Sequence, residues 1–124
     1  MANNELLDEF GMWLMQNVRD DSIESWRMIL SGFMKGESSI QTRAKLDAIS
    51  PAARAAVSAV LPEIVDTVLH HLLWSLEQSD EITVGVHSGG QSTSDLKTVS
   101  DGLAGEVFTE EGWIARFSKE PEFS

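Results

Sequence analysis

Leu61-Pro62-Glu63-Ile64-Val65-Asp66-Thr67-Val68-Leu69-His70-His71-Leu72-Leu73-Trp74-Ser75-Leu76-Glu77-Gln78-Ser79 is the stretch on which the fold turns. Its apolar residues Ile64, Val65, Val68, Leu69, Leu72, Leu73 and Leu76 recur at helical steps. At about 100° per residue they fill roughly half of the circumference, an arc suited to a central helix packed on several neighbours. The other half carries Glu63, Asp66, Thr67, His70, Trp74 and Glu77. Glu63, His70 and Glu77 are a heptad apart and fall nearly in line on one face. Pro62 lacks a donor and restricts Leu61, so the helix is expected to kink or restart there.

Upstream, Leu6, Leu7, Phe10, Trp13, Leu14 and Val18 form an apolar stripe that Asn3 or Asn4 can cap. Asp21 with Glu24 reads as a capping box for a second helix carrying Ile23, Trp26, Leu30, Phe33 and Met34, with Gly36 as its stop. A short acidic turn between the two makes an αα-hairpin. Met12, Met15, Met28 and Met34 are read as core filling. Ser38 with Gln41 opens a third helix to about Ile49, and Ser50-Pro51 opens a fourth, Ala-rich one.

Downstream the period falls to two. Ile82, Val84 and Val86 alternate with polar residues, predicting a strand at 81–87, and the polar run 88–95 predicts a mobile loop. Residues 96–105 fit a short helix or an irregular crossing. Residues 106–109 and 113–118 read as a β-hairpin around Glu110-Glu111-Gly112, with Gly112 supplying a positive φ. The expected class is α+β: a single domain over 1–124, with four or five helices in about 3–79 packed on a small three-stranded antiparallel sheet.

Nine Lys and Arg against 20 Asp and Glu give a net charge of −11. Residues 1–54 carry −2 and residues 55–124 carry −9, and no cation occurs from Ala55 to Leu96. Nucleic acid and anionic membrane surfaces both need clustered cations, so neither is an expected partner. A basic protein surface fits the charge. With no cysteine there is no disulfide, thiolate metal site or thiol nucleophile. The chain starts with no cationic leader, and its apolar runs are interrupted short of about 18 residues, so no signal or membrane span is read and cytoplasmic residence is expected.

Few residues carry chemistry. Glu63, Asp66 and His70 offer oxygen and nitrogen ligands along one helix, with His87 as a fourth candidate from the strand, but HExxH and Glu-x-x-His patterns are absent. Asp66 and His70, four apart, are expected to meet on a solvated face. His71 falls at the edge of the apolar arc, where its ring packs. Trp74 projects from the acidic side and needs cover, from neighbouring helices or from a partner. Gly-x-Ser-x-Gly, Gly-x-Gly-x-x-Gly and Walker patterns are all missing. Arg116 is expected beside Glu110 and Glu111 on the outer face of the hairpin.

Three function classes follow. The first is a non-catalytic binding module with no cofactor, whose acidic surface docks a basic protein through Glu63, Asp66, His70, Trp74 and Glu77. In size, acidity and lack of catalytic motifs the chain resembles bacterial immunity proteins that neutralise cationic toxin domains, a likeness of type carried by no motif. The second is a metal- or ligand-binding enzyme using Glu63, Asp66, His70 and His87. The third is a homodimeric accessory protein closed by exposed Trp and Met side chains.

Overall fold

The computed structural model describes residues 2–32 and 36–120; Phe33, Met34 and the side chains of Asn3 and Asn4 lie outside the described residues. Helix α1 (Ala2–Leu14), a π-helical segment (Met15–Asp20) and α2 (Asp21–Ser31) follow one another with helical backbone angles at both junctions. The expected acidic turn and capping box at Asp21 therefore do not form. The carboxylate of Asp20 is engaged instead by the Ser118 hydroxyl and the Lys119 N–H, so it is not free to cap. Bonding five residues apart lets Met15 and Asp20 share the inner side with Arg19, and all three are buried. Helix α2 stops at Gly32, whose φ of 85° supplies the left-handed cap expected of Gly36. Gly36 instead leads, in extended conformation, into α3 (Glu37–Asp47).

Ser50 caps α4 (Pro51–Gln78) as expected, its Oγ accepting the Ala53 N–H at 3.1 Å. The helix then runs unbroken through Pro62. An interior proline costs about 3 kcal/mol, but Leu61 and Pro62 are both buried in a helix that lies against α2 and the π-helical segment, and burying that surface offsets the lost bond. Unbroken, its 28 residues are long and apolar enough to cross a membrane by length and composition, which the interrupted runs did not suggest.

Beyond α4 the expected three-stranded sheet is reduced to two strands. Ser79 Oγ accepts the N–H groups of Glu81 and Ile82, which holds the first residues of the expected strand in a turn. Pairing begins only at β1 (Val86–Ser88), antiparallel to β2 (Gln91–Thr93), with Val86 opposite Thr93. Gly89 and Gly90, at φ of 59° and 79°, make the tight turn where a mobile loop was expected. A 3-10 turn (Leu96–Val99) follows.

Residues 106–109 and 113–118 are not strands. They form α5 (Gly105–Phe108) and α6 (Trp113–Phe117). Leu103, Val107, Trp113 and Ile114 all enter the core, and helical turns bring them to one side where alternation would not. Gly112 has φ −78°, so its value is closeness: a Cβ there would meet the Glu106 and Val107 carbonyl oxygens at 2.8 Å. The core joins Leu7, Leu14 and Met15 to Leu69 and Leu73, Leu96, Leu103 and Trp113. The Trp113 indole stands edge-on to Phe10, with ring centroids 5.7 Å apart. Of the methionines, Met15 is buried and Met28 is exposed.

Candidate functional site

The line on α4 divides. Glu63 and His70 are exposed and Trp74 is half-exposed, whereas Asp66 is buried and Glu77 partly so. Glu77 accepts the Ala104 N–H at 2.6 Å, satisfying a backbone donor at the start of α5. His70 lies against Phe108, centroids 6.2 Å apart, and stands edge-on to His71, which is exposed rather than packed. The Asp66–His70 contact expected on a solvated face is replaced by a buried one.

Arg19 is fully buried and grips Asp66 with two prongs, Nε to Oδ1 at 2.7 Å and Nη2 to Oδ2 at 3.3 Å. Its Nη1 donates to Ser118 Oγ at 2.8 Å and to the Glu120 carbonyl, and Asp20 lies 3.6 Å away. This clamp ties the first helices, α4 and the C-terminal segment through residues far apart in sequence. A charge-assisted fork in low dielectric is stronger than a surface pair and leaves no guanidinium edge for a ligand. Its signal was present in the sequence: Met15, Arg19 and Ile23 share one helical row, so Arg19 is a lone base in an apolar register.

Charge gathers elsewhere. An open groove of about 620 Å³ is lined by Asp8 of α1, Glu106 of α5, Glu110 and Glu111 of the turn, and Ala115 and Arg116 of α6. Arg116 is the one cation among its described lining residues, donating to Asp8 Oδ1 at 3.0 Å and lying over the Phe117 ring. The expected Arg116 contact with Glu110 and Glu111 thus gives way to a partner on α1. Partial burial pushes the Glu106 carboxyl above its ordinary value of 4.5; Arg116 opposes the rise, and Asp8 and Asp101 add to it. The folded chain therefore holds this proton to higher pH than the unfolded one, and ionisation costs stability as pH rises through that window. Glu106→Gln is accordingly expected to unfold at higher urea than the parent at pH 7, with the gap closing below about pH 4. An unchanged gap across that range would contradict the assignment.

Among the described residues no group of three His, Asp or Glu could hold a metal ion. Asp66 is held by Arg19, and His87 sits on β1 beside a separate groove of about 410 Å³ formed with Phe10 and Trp13 of α1, away from the α4 line. Comparison with known proteins finds no matching family model, no similar curated protein and no similar solved structure.

Proposed function

We propose that the chain is a non-catalytic binding protein whose acidic surface docks a basic protein partner. The groove between α1, α5 and α6 carries the reading: Asp8, Glu106, Glu110 and Glu111 line it together with Arg116, the one cation among its described lining residues. Lysine or arginine side chains entering it meet the exposed Glu110 and Glu111 and a Glu106 carboxylate already partly desolvated, and at Glu106 attraction is less screened than on open surface. Glu106 resists ionisation in the unliganded chain, and an arriving cation relieves that cost, a coupling common where charge is poised for a ligand. Of the α4 line, Glu63, His70 and Trp74 are free to add to such a surface, whereas Asp66 and Glu77 already serve the fold. The test is a titration with a lysine- and arginine-rich peptide and its glutamate-rich counterpart. Binding of the basic peptide alone, weakened at least tenfold between about 50 and 300 mM salt, supports the reading. Equal binding of both peptides, or salt-independent binding, overturns it.

A further inference from the structure

The apolar arc of α4 is wider than what the molecule covers. Leu61, Leu69 and Leu73 are buried. Val60, Ile64, Val68 and Leu72 are not: they stand 40, 52, 64 and 48% exposed. Spaced by four, they make one continuous ridge about 18 Å long on the side of the helix turned away from α2 and the core.

We infer that this ridge is where a second copy of the chain docks, α4 against α4 in antiparallel fashion about a two-fold axis between Ile64 and Val68. Two observations fit a copy. First, the ridge is free of carboxylates in a chain that carries 20. Glu63, Asp66 and Glu77 all project from the other half of the helix, so two chains of charge −11 can meet here without setting like charges face to face. Second, the ridge is its own complement. Reversal about that axis places Val60 against Leu72 and Ile64 against Val68, and rows spaced by four interdigitate in the commonest helix-packing class. Val and Ile also lose little side-chain freedom on burial. The face is distinct from the acidic groove, so the two readings fail separately.

Sedimentation of the intact chain in about 300 mM salt, where repulsion between the acidic bodies is screened, tests it. A dimer at micromolar concentration is expected. Val68→Glu, at the most exposed position of the ridge, should weaken association by about 100-fold or more while its helical circular dichroism stays unchanged. Gln41→Glu, exposed on α3, should leave the dimer intact. A second ridge variant, Ile64→Glu, guards against a local effect at residue 68. A monomer in the parent at high micromolar concentration, or a dimer that survives both ridge substitutions, overturns the proposal. So does co-flotation of the parent, but not of Val68→Glu, with neutral phosphatidylcholine vesicles, because the ridge would then serve lipid, as the length and hydropathy of α4 also permit.

Discussion

Arg19→Met is expected to lower the unfolding free energy by about 3–5 kcal/mol, because it strands two buried carboxylates, Asp66 and Asp20, without their cation. In a chain of this size the melting midpoint should fall by about 10–20 °C. Removing the acid as well, in Arg19→Met with Asp66→Leu, should recover much of the loss, since apolar residues of similar volume replace a buried pair at little cost. Arg116→Met, which breaks an exposed pair with Asp8, should change stability by about 1 kcal/mol or less. Urea denaturation of the four chains measures all of this. A loss below about 1 kcal/mol for Arg19→Met would mean that the clamp is not the organising contact described above.

Trp113→Ala should cost about 3–5 kcal/mol, the usual range for emptying a buried indole site. Its neighbour gives a sharper test. Gly11 lies inside α1, where helix propensity alone makes Gly→Ala stabilising by about 1 kcal/mol. A Cβ at Gly11 would however stand 2.5 Å from the Trp113 ring. Trp113 is fully buried and hemmed by Phe10, so the ring cannot yield cheaply, and overpacking of this kind costs about 1–3 kcal/mol. Gly11→Ala is therefore expected to destabilise, against propensity. In the Trp113→Ala background the clash is gone and the same substitution should be neutral or favourable, a non-additive cycle that independent sites would not give.

Much of the helical part was legible, and the reasons for the rest are specific. Ser50-Pro51 located the start of α4 because a cap is a local event, and the apolar steps of residues 61–79 located its body. The run through Pro62 was hidden because burial, a tertiary effect, outweighs a local penalty. The π-helical segment left no local mark; the clamp did, in Arg19 standing in the apolar row of Met15 and Ile23. Around α5 and α6, short apolar runs fit period two as well as period 3.6. The steps Leu103–Val107 and Trp113–Phe117 held the helical answer. The Gly89-Gly90 turn was readable as a hairpin signal, but the polar residues around it gave no alternating face to support one.

The candidate site shows the same division. A helical wheel places Asp66 and Glu77 on the polar half of α4 and is right about their angle, yet polar does not mean solvated. Arg19 and the Ala104 N–H reach them from elements remote in sequence. Charge reversal at Glu77 would thus disturb α5 rather than probe a surface, while Glu63 remains a clean surface probe. The groove was illegible for the converse reason: Asp8 meets residues 106–116 only because α1 lies against α6.

Charge reversal separates that groove, the proposed docking surface, from the α4 line. Affinity for the lysine- and arginine-rich peptide at about 50 mM salt should fall tenfold or more in Glu110→Lys with Glu111→Lys, and by about twofold or less in Glu63→Lys. Full binding by the double variant, with loss in Glu63→Lys, would contradict that proposal.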